Sequence, residues 1–298
     1  MGEMDGKVVV VTGGNTGVGK ETAVQLAKRG ATVAITSRDA AKGKEAAADI
    51  QKRGNTPEVR VLSLDLGSFD VIRSCAASIL SEFDRLDVLV NNAGAVLNDQ
   101  RETKQGFEMT LGGNHLGTFL LTSLLIDRVR AAGGGRVVTV ASIAHRGAST
   151  VDEPDFFPHH KYRGMTAYSK SKFANILFAR ELASREQAAG SDVSSFAVHP
   201  GGVRSDFGLH GDGGTLMQAG LRVLYATPFY ISTSAGAGPS VYAASQPGLE
   251  SQTGAYLQRS VAGNWGPVKI VKPNAAAQDD AKAAALWELS EKLIAGAG

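Results

Sequence analysis

Cysteine is almost absent: Cys75 is the one thiol in 298 residues. A single thiol cannot close an internal disulfide, which excludes a disulfide-stapled fold and fits a reducing compartment. Proline is scarce, at 9 residues, too few for a collagen-like or proline-rich disordered chain. Charge of one sign is also lacking. Lys and Arg number 31 against 29 Asp and Glu, a formal net charge of +2. Without a long basic run, this balance gives no electrostatic basis for a nucleic-acid partner. Long apolar runs are missing as well. Met1 to Lys7 is acidic and does not read as a signal peptide, and Gly6 breaks the myristoylation pattern. The most lipid-like stretch, Leu216 to Ile231, is interrupted by Gln218, Arg222 and Pro228. It falls short of the ~20 apolar residues that a membrane span needs. The six histidines show no metal-ligand spacing, and adjacent His159 and His160 cannot share a helix face. No Gly-x-Ser-x-Gly elbow marks a serine hydrolase. The expectation is a cytoplasmic chain without membrane span, nucleic-acid partner or metal.

Glycine, by contrast, is abundant, at 36 residues, and hydrophobic residues make up 43%, enough for a substantial core. The pattern alternates strand and helix. Val8 to Val11 is a short β-branched run of the kind that forms buried parallel strands. Gly19 to Arg29 reads as a helix closed by Gly30. Thr32 to Thr36 is a second strand, and Asp39 caps a helix running to about Arg53. Further strands are expected at Val59–Leu64, Leu86–Val90, Arg136–Val140, Val193–Val198 and Ala255–Leu257. Helix-length segments lie at Ser68–Phe83, about Lys104–Arg130 and about Thr166–Arg185. The pattern predicts one α/β domain over residues 1–298: a Rossmann-type, doubly wound parallel sheet of about seven strands with helices on both faces. Gly208 to Tyr230 departs from the alternation. It suits either a substrate lid at about 205–232 or an ordinary surface helix and loop. A probable-length helix from about Ala275 to Ile294 carries an apolar stripe for the domain or for a second subunit, so a homo-oligomer stays open.

Thr12-Gly13-Gly14-Asn15-Thr16-Gly17-Val18-Gly19-Lys20-Glu21 follows the first strand. Such a turn brings backbone close to a ligand and offers the next helix's N–H groups to a phosphate. Two ligand classes compete. Gly14, four residues, Gly19 and Lys20 nearly spell a triphosphate P-loop, but Glu21 stands where Ser or Thr would hold magnesium. The other reading is a dinucleotide site, spaced Gly13-x₃-Gly17-x-Gly19. It moves attention to Ser37 and Arg38 at the end of the second strand. A small hydroxyl followed by arginine suits the 2′-phosphate of NADP(H), where a carboxylate would suit NAD(H).

Tyr168 and Lys172 are four residues apart on a helix and share a face, whereas Lys170 points elsewhere. A phenol has a reference pKa of ~10, and a neighbouring ammonium is expected to lower it. Tyr168 then becomes a proton donor and acceptor at an alcohol or carbonyl oxygen. Ser142 follows the fifth strand, Asn91-Asn92-Ala93-Gly94 the fourth, and Asp65 the third, all at the carboxyl edge where open α/β sheets build sites.

With these residues in order, the chain resembles the short-chain dehydrogenase/reductase family. The Thr12–Gly19 turn, Asp65, Asn91–Gly94, Asn114, Ser142, Tyr168/Lys172 and Pro200-Gly201 carry the resemblance. The wording Asn114-His115-Leu116-Gly117, the His145–Met165 stretch, His199-Pro200-Gly201 and Leu286-Trp287-Glu288-Leu289-Ser290 are similar to the retinol-dehydrogenase-like subgroup. The resemblance implies a small-molecule carbonyl/alcohol substrate, probed by hydride transfer, with a lipophilic character. It makes Tyr168 the acid/base, Lys172 its partner and a ribose ligand, Ser142 the group orienting substrate oxygen, and Asn114 the holder of a relay water. It places Gly13, Asn15, Thr16, Gly17, Val18 and Gly19 on the pyrophosphate side, and Ser37 and Arg38 at the adenosine ribose. Asp65, Leu66, Asn92, Ala93 and Gly94 fall beside the adenosine half, and Pro200, Gly201 and Val203 beside nicotinamide. Two departures stand out: Ala141 where serine is frequent, and Ser205 where threonine is usual. NADP(H) is favoured over NAD(H). The alternatives are an NADP(H)-binding sensor or interaction protein with little catalysis, and a P-loop NTPase.

Overall fold

The structure, a computed structural model, describes residues 2–203 and 230–297. Val8–Val11 forms β1 and Val10 lies opposite in facing to its neighbours Val9 and Val11. Successive strand residues face opposite sides. Both sides are covered here, which is why four valines in a row suit this strand. The remaining strands are β2 (Thr32–Ser37), β3 (Val59–Ser63), β4 (Val88–Asn91), β5 (Arg136–Val140), β6 (Ser194–Val198), β7 (Tyr256–Val261) and β8 (Trp265–Val271). The order across the sheet is β3-β2-β1-β4-β5-β6-β7-β8, with every pair parallel except β7–β8. Strand order reverses between β1 and β4. This creates a crevice at their carboxyl ends, where open α/β sheets bind ligands.

Helices cover both faces. On one side α1 (Gly17–Ala27), α2 (Ala40–Gly54) and α8 (Gly238–Ser245) bury Val9, Val11, Val33 and Ile35. On the other, α3 (Phe69–Glu82), α5 (Thr118–Ala131), α6 (Gly164–Ala188) and α9 (Asp280–Gly296) cover Val10, Ala34, Leu89 and Val137. Two short turns, α4 (Met109–Leu111) and α7 (Thr233–Gly236), complete the helices among the described residues. Asp39 caps α2 as expected, accepting from the Ala41 and Lys42 N–H groups at 2.9 and 3.1 Å. Gly30 follows α1 with φ of +98°. That conformation requires glycine, and a Cβ there would also displace the Asp5 carboxylate, 1.8 Å away.

Three differences from the sequence pattern matter. The sheet has eight strands rather than about seven, and the eighth is antiparallel. β8 contains Gly266 and Pro267 and is largely exposed at the sheet edge. No residue of β8 is buried, so the strand is not written as an apolar run, and as an edge strand it tolerates proline. The expected helix at about 104–130 begins later, at Met109, where the Glu108 carboxylate accepts from the Thr110 and Leu111 N–H groups. It is interrupted by a π-helical segment, Gly112–Gly117. The segment 205–232 expected as a lid lies outside the described residues, save for its last three. There Ile231 makes an isolated parallel bridge with Val203. No helix among the described residues is long and apolar enough to cross a membrane.

Candidate active site

The glycine-rich turn is braced from the neighbouring strand. Thr12 Oγ1 accepts from the Asn92 and Ala93 N–H groups at 3.0 and 2.9 Å. Asn92 Nδ2 donates to Thr12 O at 2.8 Å. Gly13 has φ of +62° and lies against Ala93, while Gly17 has φ of +58°. A Cβ on Gly19 would fall 2.3 Å from Asn92 Nδ2 and 2.5 Å from Gly13 O. Gly19 is thus demanded by close packing of α1 on the turn, whatever else it does. Thr16, at the N-cap of α1, makes no side-chain cap hydrogen bond, and no acidic residue stands in the first turn. The helix start therefore presents its donors and positive dipole end towards the crevice.

The P-loop alternative does not survive the geometry. Lys20 Nζ pairs with Asp49 of α2 at 2.9 Å. Glu21 does not point at a phosphate position either. It is buried against α2, where both carboxylate oxygens accept from Arg53 at 2.7 Å. Bidentate pairing of this kind holds both groups firmly. Lys20, which suggested a nucleoside triphosphate, and Glu21, which spoke against it, both tie α1 to α2.

At the end of β2, Ser37 is buried, and its hydroxyl bonds both the carbonyl and the N–H of Asp39. Arg38 is exposed and makes no ion pair among the described residues. Asp65, past β3, accepts from the Gly67 N–H at 3.0 Å, and half-buried Leu66 packs its carbonyl against Gly117. Asn91 turns inward: its amide donates to Thr122 Oγ1 at 2.9 Å.

Gly94 joins this side of the crevice to the next. A Cβ there would stand 3.1 Å from Asn114 Oδ1 and 3.5 Å from Lys172 Nζ. Asn114 sits in the π-helical segment, a feature frequent at functional sites. Its side chain accepts from the Ala95 N–H and donates to Ala95 O, each at 2.8 Å, and donates to Ser171 Oγ at 3.0 Å. Ser171 in turn donates to Tyr168 O at 2.8 Å. Both amide hydrogens of Asn114 and one acceptor position of Oδ1 are thus engaged in holding the β4 loop to α6.

Ser142 follows β5 in extended conformation, and its hydroxyl hydrogen-bonds the Tyr168 phenol. Lys172 is 3% exposed, with Nζ 5.6 Å from the Tyr168 ring centroid, donating to Val140 O at 2.9 Å. The expected lowering of the phenol pKa by this ammonium is not the dominant effect. Burial pushes Tyr168 up to about 12, opposed by the Ser142 hydrogen bond, although the side chain keeps partial contact with solvent. Burial likewise pushes Lys172 down to about 8. Desolvation works against the charged form of each.

At the end of β6, Gly201 has φ of +93°, and a Cβ there would meet Asn264 Oδ1 at 2.7 Å. Asn264 Oδ1 also accepts from the Gly202 N–H at 2.6 Å. A Cβ on Gly236 would lie 2.5 Å from Val203, 3.4 Å from Pro200 O and 3.4 Å from Val18. The segments that follow β1 and β6 therefore both pack against Gly236. Asn264, in the β7–β8 turn, was not anticipated. Its strand went unrecognised, so no sequence signal placed it there.

A sequence model of the short chain dehydrogenases matches residues 7–209. The chain belongs to the short-chain dehydrogenase family. It is 40% identical to human (Homo sapiens) retinol dehydrogenase 12 over 292 residues, 98% of this chain and 87% of that protein. It is 38% identical to Mus musculus retinol dehydrogenase 13, covering 97% of this chain and 84% of that protein. Among solved structures, a protein from Mycobacterium Paratuberculosis superposes with a TM-score of 0.74 at 36% identity. That match covers 97% of this chain and 93% of that one. This short-chain dehydrogenase is accordingly an NAD(P)-dependent oxidoreductase acting on an alcohol–carbonyl pair.

The crevice fits such a cofactor on its own evidence. A positive-φ glycine turn too tight for side chains leads to an uncapped helix start. At the other end, Gly94 leaves room beside Lys172.

Proposed function

We propose that this protein interconverts a lipophilic alcohol and its carbonyl compound, preferring NADP(H), with Tyr168 as acid/base. The observation that carries the reading is the Ser142–Tyr168 hydroxyl pair over buried Lys172, at the same sheet edge as the glycine cradle. When bound, the nicotinamide supplies or accepts the hydride.

The chain's own groups do the rest. Burial keeps Tyr168 protonated, so its proton is in place for a carbonyl oxygen undergoing reduction, while the raised pKa alone weakens it as an acid and leaves Lys172 and Ser142 to steady the phenolate that forms. Ser142 donates to the same oxygen and orients it. Lys172, held by Val140 O, has two further N–H bonds for the cofactor ribose and for steadying charge on the phenol oxygen. Both Asn114 amide hydrogens are already engaged, so a relay water at this residue would be held through its acceptor oxygens.

The turn residues Gly13, Asn15, Thr16, Gly17, Val18 and Gly19 would hold the pyrophosphate. Asp65, Leu66, Asn92, Ala93 and Gly94 would line the adenosine side, and Pro200, Gly201 and Val203 the nicotinamide. Arg38, exposed and without an ion-pair partner among the described residues, would take the 2′-phosphate next to Ser37. Support for a lipophilic substrate comes from Ile143 and Met165, 45% and 61% exposed, which flank Ser142 and Tyr168 in sequence. The names of the retinol dehydrogenases point the same way.

Retinal reduction followed with NADPH and with NADH tests this reading. Expected are turnover with a kcat/KM at least about tenfold higher for NADPH, and loss of that preference in Arg38→Ala. Tyr168→Phe should lower kcat about 10³-fold while NADPH still raises Tm. Undiminished turnover by Tyr168→Phe would remove Tyr168 from the chemistry.

A further inference from the structure

We infer that His145 and Asn274 are positioning residues: a clamp that sets Ser142 in the site from the segment following β8. The inference rests on the role proposed for Ser142. His145 is 0% exposed and lies in the one-turn helix that follows Ser142. Its ring folds back on the chain, with Nδ1 2.7 Å from Ser142 O. The other ring nitrogen, Nε2, lies 3.2 Å from the main-chain N of Asn274, 129 residues further on.

A main-chain N–H only donates. Nε2 must therefore be the bare, accepting nitrogen, and Nδ1 carries the proton and donates it to Ser142 O. The environment thus selects one tautomer of a neutral imidazole. Tyr256 packs edge-on against the ring at 5.2 Å, closing it in.

Asn274 is itself fixed on three sides. Its Nδ2 donates to Ala148 O at 2.8 Å and to His145 O at 3.4 Å, and its Oδ1 accepts from the Ala277 N–H at 3.1 Å. The turn carrying Ser142 is otherwise held mainly by its own short-range bonds, His145 N to Ser142 O and Ala148 N to His145 O, both at 3.1 Å. The His145 N–H bond to the Ser142 carbonyl comes from within the same turn and moves with it. The imidazole adds a second, shorter bond that links the carbonyl to a segment anchored elsewhere. Neither residue contacts the reacting atoms in this arrangement. They act through the Ser142 backbone, and so on the hydroxyl that meets Tyr168.

Three substitutions separate the two halves of the clamp. His145→Asn puts an N–H where Nδ1–H was and gives up Asn274. His145→Gln offers Asn274 an acceptor and gives up Ser142. His145→Phe keeps ring bulk and loses both. With retinal and NADPH, kcat should fall about 100-fold in His145→Phe, the scale of a 1 Å misplacement, and comparably in His145→Gln. His145→Asn should recover at least about tenfold of that loss. The KM for NADPH and the Tm rise it induces should stay at wild-type values in all three. Equal losses in His145→Asn and His145→Gln, an unchanged kcat in His145→Phe, or a rise in the NADPH KM parallel to the kcat loss would each overturn the clamp. If His145→Phe fails to fold, the Asn–Gln pair decides alone. The wild type and Tyr168→Phe, run alongside, report on the underlying reading separately: an inactive wild type refutes that reading and not the clamp.

Discussion

Two lysines on α6, two residues apart, have opposite fates. Lys170 reaches the Asp155 carboxylate and forms an ion pair on a partly exposed face. Lys172 is buried, forms no ion pair among the described residues, and has a single main-chain acceptor in Val140 O. Pairing explains Lys170 fully as structure. Nothing in the stability of the fold explains Lys172, because burying an ammonium without a counter-charge is unfavourable. The difference supports the site proposed for the chemistry: the face where a charge is held at a disadvantage, beside Tyr168, Ser142 and Gly94.

The comparison can be broken most strongly by Lys172→Met. Removing the ammonium should lower kcat by about 10²–10³-fold, as for loss of one preorganised electrostatic group. The same change should raise stability at pH 7 by about 1–3 kcal/mol. The sign follows from the pKa, lowered by burial to about 8 from 10.5. Below about pH 8 the folded wild type retains a buried charge that the unfolded chain hydrates. Between pH 8 and 10.5 the folded state releases that proton while the unfolded state keeps it. Wild-type stability then rises with pH, and its deficit against the variant closes. Urea melts of both proteins at pH 7 and pH 10 measure this; a less stable variant at pH 7 would show that Lys172 is not held at a disadvantage.

A smaller effect is expected from Gly94→Ala. Its Cβ would press on Asn114 Oδ1 at 3.1 Å and approach Lys172 Nζ at 3.5 Å. Turnover should drop roughly threefold to tenfold through slight displacement of those groups, with Tm little changed. Smallest of all is Lys170→Met. A partly exposed pair contributes about 0–1 kcal/mol, so Tm should move by a few degrees at most and kcat by less than about twofold. A loss of kcat comparable to that of Lys172→Met would erase the distinction between the two faces.

How much was legible beforehand varied with burial. Strands β1, β2, β4 and β5 are buried along nearly their whole length and appear as mostly apolar runs. At the other edge, β3 exposes Arg60 and Ser63 but still alternates with buried Val59 and Leu62, and all of these were found within one or two residues. The antiparallel β8, exposed at the edge, carries no such run. The π-helical segment was invisible because Gly112–Gly117 continues a helical pattern on either side. The change of register depends on what Asn114 meets, in Ala95 and Ser171. Lys20 was the misleading residue. With Gly14 and Gly19 it nearly matched a phosphate motif, but Asp49 on α2 claims its ammonium, and Glu21, the mismatch, pairs with Arg53. His145 and Asn274 stand 129 residues apart, and nothing local announces their contact.

By itself, the sequence determined what depends on neighbours along the chain. It set the alternation of strands and helices, the glycine turn after β1, and the shared helix face of Tyr168 and Lys172. Only the tertiary structure decided which charges would be neutralised, which glycines pack rather than merely turn, which imidazole nitrogen carries the proton, and which lysine stays uncompensated. Hydrogen bonding and desolvation act between groups distant in sequence, and their outcome is settled only when the fold brings those groups together.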